Sequence, residues 1–162
     1  MTIKYQQEFL ETCLEEAKVL LEKHWKEIAL NKDKIKLNPD WEAYADLEAV
    51  GKLKIFTARD FTNTQSKDLS QGTLVGYFVV FVNRHIHYKD HIFAVNDLLF
   101  LSEEYRKGLT GVKLIKFAEG CLKSDGVSVL NINTKVHRPF DVIMNRLGFN
   151  LIERVYSKYL GD

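Results

Sequence analysis

Cysteine is scarce, charge is balanced and long apolar runs are missing, and each absence excludes a class of protein. The two cysteines, Cys13 and Cys121, fall in separate helical patterns. That is no secreted disulfide scaffold, so both are read as reduced, half-buried side chains. Twenty-three basic residues against 22 acidic ones leave a formal charge of +1. No global field marks nucleic acid or a membrane as partner, although charge can still gather locally. No apolar run approaches the ~20 residues of a membrane helix. The opening MTIKYQQEFLETC lacks the apolar centre of a signal peptide. A soluble, cytoplasmic chain is expected. Neither G-x-G-x-x-G nor G-x-x-x-x-G-K-[ST] occurs, so the two commonest phosphate-binding signatures are absent. There is no internal repeat and no low-complexity segment.

What is present is an ordinary globular composition, 46% apolar and 28% charged over 162 residues. One domain of this length buries roughly two-thirds of its unfolded surface. From Tyr5 to Ile28 apolar residues recur at spacings of three and four (Phe9, Cys13, Ala17, Leu20, Leu21, His24, Trp25), which predicts a helix. Asn38, Pro39 and Gly51 punctuate a second, short helix over 39–50. Strands are predicted at 52–60, at 73–83 (TLVGYFVVFVN, β-branched and aromatic throughout) and at 92–101. A polar loop, 61–72, and a polar link, 84–91, separate them. A helix at 109–124, a strand at 127–136, a short helix at 139–147 stopped by Gly148, and a closing strand at 149–160 complete the pattern. Antiparallel strands followed by βαβ alternation give an α/β class with one mixed sheet and helices on both faces.

The stretch FLSEEYRKGLTGVKLIKFAE joins a strand end to a helix start through two glycines. A helix N-terminus has unpartnered N–H groups and a positive dipole end, and glycine lets a phosphate approach the backbone. Arg106, Lys107 and Lys113 add positive charge. The spacing alone leaves two readings open: a pyrophosphate site, or a tight turn whose glycines serve only geometry.

LFLSEEYRKGLTGVKLIKFAE, GVSVLNINT and RLGF together resemble the GNAT superfamily of acyl-CoA-dependent N-acyltransferases, over about residues 73–160. The wider pattern, including HWKEI and HYKDH, resembles bacteriophage-encoded members, which would put the chain in a host cytoplasm. The resemblance implies a GNAT-like fold, acetyl-CoA as co-substrate and transfer of an acetyl group to an amine by direct attack in a ternary complex. It divides the domain 1–162 into a helical acceptor-side region, 1–51, and a sheet and acyl-CoA-binding core, 52–162. Homodimers are common in the superfamily. By resemblance the pyrophosphate loop is Arg106, Lys107, Gly108, Leu109, Thr110 and Gly111, and Leu101 offers its backbone to the pantetheine arm. Aligned on Gly108, the family's first loop position is Tyr105 and its last is Thr110, so the second glycine stands one place late.

Acyl transfer needs a base, because the attacking amine must be neutral. Asp97 is the one acid in IFAVNDLLFL, and burial there would raise its pKa. It is the candidate base, against a purely structural aspartate. The family's usual acid, a Tyr four residues before the Gly of GF, falls on Met144, which has no proton to give. Tyr156 and Tyr159 on the expected last strand are substitutes, Tyr156 the better. The same count places His137 where relatives carry a cofactor-binding Asn, and Asn131 and Asn133 alternate toward one strand face. Trp25, His24, Trp41 and Tyr44 are either acceptor-pocket walls or core packing. His85, His87 and His91 suggest a metal, but no cysteine is near, and a polar hairpin end is the reading taken; no metal is expected. A second reading is a catalytically silent GNAT-fold effector acting on a host protein or nucleic acid, since fold does not guarantee chemistry.

Overall fold

The run TLVGYFVVFVN is buried on both faces at the centre of a five-stranded sheet, as its unbroken apolar character requires. The computed structural model describes residues 2–62 and 72–161. In chain order the elements are β1 (Ile3–Glu8), α1 (Leu10–Ile28), α2 (Trp41–Ala49), β2 (Leu53–Asp60), β3 (Thr73–His85), β4 (Tyr88–Leu101), a 3-10 turn (Glu103–Tyr105), α3 (Thr110–Ser124), β5 (Val127–Asn131) and α4 (Asp141–Arg146). The sheet order is β1-β2-β3-β4-β5, antiparallel except for the parallel β4–β5 pair. No helix among the described residues is long and apolar enough to cross a membrane.

Alternation along the strands divides the core in two. Ile55, Tyr77, Val79 and Phe100 pack with Leu10, Cys13 and Leu20 of α1, and with Trp41, Tyr44 and Leu47 of α2. Phe56, Phe78, Val80 and Ala94 face Leu114, Ala118 and Leu122 of α3 on the other side. The helices therefore cover both faces of a mixed sheet, as the element order predicted.

Four expectations are corrected. Residues 3–8 are strand, so Tyr5 to Glu8 are not the first turn of the expected helix, because all six pair with β2. Helix α1 starts only at Leu10, whose N–H is capped by the Glu48 carboxylate at 2.9 and 3.1 Å. Phe9 supplies no side-chain cap, so a residue of α2 performs the task a local Ser or Asp usually performs. The expected polar link 84–91 is mostly strand, since β3 and β4 run on to a hairpin tip at Ile86 and His87. Strand β5 stops at Asn131 rather than 136. Residues 149–161 have no regular structure and pair with no strand. Most of the expected loop 61–72, residues 63–71, lies outside the described residues.

An ion cluster ties β1 to β2 and α1. Arg59 is fully buried and donates to both Glu8 oxygens from Nε and Nη2 at 2.8 and 3.0 Å. Its Nη1 donates to Glu16 and to the Gly72 carbonyl, both at 2.6 Å. Burial pushes the Glu8 carboxyl up, but hydrogen bonds from Arg59, Thr57 and Gln6 outweigh it and hold it below the ordinary range.

Candidate functional site

Three features lie along the second half of β4 and the loop that follows it. The first is a bulge. Val79 pairs with Leu98 and Val80 with Asn96, so Asp97 is the extra residue. A bulge turns consecutive side chains toward one face. Here Asp97 accepts a short hydrogen bond from the Tyr44 hydroxyl of α2, and Leu98 joins the same core cluster as Tyr44. Burial holds the Asp97 carboxyl above its usual range, and the Tyr44 bond opposes that rise. Burial first, then Asp97, push the Tyr44 phenol up, so it stays protonated as the donor. Tyr77 lies beyond, its phenol raised by burial and by Tyr44 and Asp97, and its hydroxyl is 3.0 Å from His24 Nδ1. His24 stacks on Phe100 at 5.0 Å, and burial pushes its pKa down to about 4.

The second feature is a splay between β4 and β5. Their ladder runs from Ile92↔Val127 to Val95↔Asn131 and stops. There the Asn96 side chain replaces the backbone: its Oδ1 accepts from the Asn133 N–H at 2.5 Å and its Nδ2 donates to the Asn133 carbonyl at 3.3 Å. A side chain spans more than a main-chain bond does, so the strands are held apart. Asp97 to Leu101 thus lies beyond the last β5 pairing. Asn96 was missed by sequence reasoning; its signal was a second polar residue, adjacent to Asp97, in an apolar strand.

The third feature is the loop into α3. Gly108 has φ +87°, a conformation that favours glycine. Leu109 at the N-cap gives no side-chain cap, and the Lys113 N–H is bonded to the Leu109 carbonyl at 2.8 Å. The N–H groups of Thr110, Gly111 and Val112 precede it in the first turn, where a helix has no acceptor to offer. A Cβ at Gly111 would meet Leu101 Cδ2 at 3.7 Å, an ordinary contact. Packing does not demand glycine there; what its absence of side chain does is keep the first turn bare. Tyr105 fastens the loop by donating to Asp60 at 2.9 Å.

The expected residues fall around this junction unevenly. Arg106 is engaged: it makes a bidentate pair with Glu27 of α1 at 2.8 and 2.7 Å and donates to the Leu101 carbonyl at 2.7 Å. It thereby ties α1, the end of β4 and the loop together, and takes the Leu101 carbonyl expected to serve a ligand. Lys107, Gly108 and Leu109 are exposed at the mouth, and Thr110 is half-buried at the start of α3. Asn133 is exposed and held by Asn96; Asn131 ends β5, so the two do not share one strand face. His137 is exposed in the turn between Lys135 and Arg138. Met144 is buried in α4. The structure does not bring Tyr156 to Asp97: its ring is 89% exposed, in the segment that forms no closing strand. His85 packs on Phe93 and Tyr88 at 4.5 and 4.8 Å at the β3–β4 hairpin, and His91 bonds Ser128 of β5.

No protein-family model and no curated protein sequence matches the chain. Solved structures do. One is an aminoglycoside acetyltransferase from an uncultured soil metagenomic sample, solved with sisomicin: TM-score 0.70, 15% identity, 98% of this chain and 95% of that one. Another is glucosamine-6-phosphate N-acetyltransferase from Arabidopsis thaliana: TM-score 0.71, 13% identity, 99% and 100%. A third is AAC(6')-Iy in complex with the bisubstrate analogue CoA-S-monomethyl-acetylneamine: TM-score 0.68, 18% identity, all of both chains. With its five-stranded mixed sheet and two helical faces, the chain has the GNAT-like fold of these acetyltransferases.

Proposed function

We propose that the chain is an N-acetyltransferase that moves an acetyl group from acetyl-CoA to an amine. The observation that carries this reading is the bare, N–H-lined first turn of α3, which follows a stretch of β4, Asn96 to Leu101, that has no β5 partner. An extended, pyrophosphate-bearing ligand fits that combination: anion on the helix start, arm along the open β4 edge. The fold is shared with acetyltransferases, one of them solved with a CoA-containing analogue.

In this reading Lys107, Gly108, Leu109, Thr110 and Gly111 receive the pyrophosphate. Arg106, already neutralised by Glu27, positions the loop. The exposed edge near Asn133 and His137 borders the arm, and residues 1–51 wall the acceptor side. Bound acetyl-CoA supplies the activated thioester. The amine nitrogen forms a bond to the acetyl carbon as the carbon–sulfur bond breaks. The nitrogen loses a proton to Asp97 through water, and the thiolate leaves with the electron pair and takes a proton from solvent. Burial raises the Asp97 carboxyl pKa, which makes it a stronger base than an ordinary carboxylate, and Tyr44 orients it. No acyl-enzyme is invoked: Cys13 is buried in the core with its thiol pushed up to about 12 by burial. A silent effector on the same scaffold is the second reading, favoured by buried Met144 at the family's acid position.

The test is a thermal melt with acetyl-CoA, with desulfo-CoA and without ligand, on wild type and Gly111→Asp. Aspartate in a helix's first turn suits the dipole, so the variant keeps its fold while repelling an anion. A ligand-dependent rise of several degrees in wild type, absent in the variant, is expected. No rise in a cooperatively melting wild type refutes the reading. Release of CoA thiol with an amine panel then separates enzyme from silent binder.

A further inference from the structure

Between α1 and α2 on one side and β2, β3 and the bulged part of β4 on the other lies a cavity of about 30 Å³. Leu10, Leu21, Trp41, Leu74, Val79 and Leu98 give it apolar walls. The hydroxyls on those walls are engaged. Tyr44 donates to Asp97, Thr57 donates to Glu8, and the Tyr77 hydroxyl is 3.0 Å from His24 Nδ1. The carboxylates bonded to wall residues are engaged too, save one. Glu48 caps the Leu10 N–H, Glu8 is paired with Arg59, and Glu16 takes Arg59 and the Leu74 N–H at 2.9 Å. The exception is Asp97, half-buried beside Tyr44. Three half-buried walls stand next to it: Tyr44 bonds it, Leu98 follows it in the chain, and the Trp41 ring lies 5.6 Å from that of Tyr44. Leu21, Ile55, Leu74 and Val79, further in, are buried. The cavity therefore runs inward from the candidate base.

We infer that this cavity receives the short apolar tail of a monoamine acceptor, with the amine nitrogen beside Asp97. The inference rests on the acetyl-transfer reading and names the acceptor's class. An apolar cavity without free polar partners stays dry and takes apolar groups. A water needs about 10–15 Å³ of such space, so roughly two or three chain atoms fit. A second ammonium carried inward would meet no free acceptor and would lose its hydration uncompensated. Polyamines and other multiply charged amines are thus poor occupants. The acyl chain is the rival occupant. The open β4 edge proposed for the cofactor's arm faces β5, whereas the cavity reaches back past β3 to Ile55 and Thr57 of β2. With the thioester at the β4 edge, the substituent that points away from the cofactor is the amine's.

The experiment follows CoA thiol release from acetyl-CoA with unbranched amines from methylamine to octylamine and with 1,4-diaminobutane, and melts the protein with each amine. In wild type kcat/KM is expected to rise about fourfold per methylene as far as pentylamine and then level off. Melting midpoints follow the same order. 1,4-Diaminobutane matches pentylamine in length but ends in a second ammonium, and is expected to be roughly tenfold poorer or worse. Ala17→Leu fills the cavity and flattens the series, and Leu21→Ala deepens it and moves the plateau to longer amines. A flat series in wild type, or a preference for the diamine, beside an intact acetyl-CoA melting shift overturns the inference and leaves acetyl transfer standing. A slope that persists in Ala17→Leu, with a plateau unmoved in Leu21→Ala, overturns it as well. So does a series graded in acyl-CoA length instead, which would seat the acyl chain in the cavity. Midpoints graded by amine length in a protein that acetyl-CoA does not shift would uphold the ligand class and overturn acetyl transfer.

Discussion

Replacing Arg59 by Met leaves a buried carboxylate without its cation, and the consequence can be worked out. Arg59 is fully buried and the Glu8 side chain nearly so. Met keeps much of the apolar stem but removes two charge-assisted hydrogen bonds to Glu8, one to the Gly72 carbonyl and one to Glu16. Breaking a buried pair on one side costs about 3–5 kcal/mol, because the remaining charge stays desolvated. For a chain of this size that lowers the melting midpoint on the order of 10 °C. The sign of the pH dependence follows. In wild type the Glu8 pKa is lowered, so its contribution is present above the unfolded pKa and lost as pH falls through the folded one. In Arg59→Met, burial is left dominant and the pKa is raised. The variant's deficit is then widest near neutral pH and narrows in acid, where Glu8 is protonated. Glu8→Gln added to Arg59→Met recovers part of the loss. Urea melts at neutral pH and at about pH 5 measure all of this, the lower value lying just above the ordinary Glu range. A deficit below about 1 kcal/mol, or one equal at both pH values, refutes the claim that an uncompensated buried charge is responsible.

Three further outcomes follow from the line of polar side chains behind the site. Asp97→Asn lowers kcat/KM by roughly 10²–10⁴ without abolishing the acetyl-CoA melting shift. Activity in wild type falls as pH drops through the raised Asp97 pKa, and Tyr44→Phe, by removing the opposing hydrogen bond, moves that acid limb to higher pH while leaving the alkaline plateau. A uniform loss at every pH would make Tyr44 structural only. His24, held neutral with a pKa of about 4, binds no proton in the fold where the unfolded chain does. Stability therefore declines as pH falls from about 6.5 toward 4, by about 3 kcal/mol, and His24→Phe flattens that part of the profile.

Local pattern carried much of this architecture. Strands β2, β3 and β4 and helices α2 and α3 fall within a few residues of where periodicity and turn chemistry put them, because each buries a face written in its own spacing. The glycine loop was equally legible, and Asp97 stood out as an acid in an apolar strand. The misses share one cause. Residues 3–8 carry no helix-excluding signal, and it is the ladder with β2, some 50 residues away, that makes them strand. Residues 149–160 show the reverse: strand composition is present, but a strand exists only where an edge pairs with it, and none among the described residues does.

The site divides the same way. Which residue types are present, a carboxylate in a strand and bare glycines before a helix, was determined by the sequence alone, since those are properties of residues and their immediate neighbours. The bulge that turns Asp97 to Tyr44, the Asn96 bridge that holds β4 and β5 apart, the Glu48 cap on α1 and the Arg106–Glu27 clamp were decided only by tertiary structure. Each is a hydrogen bond between groups 37 to 79 residues apart in the chain, and no local pattern encodes the partner at the far end.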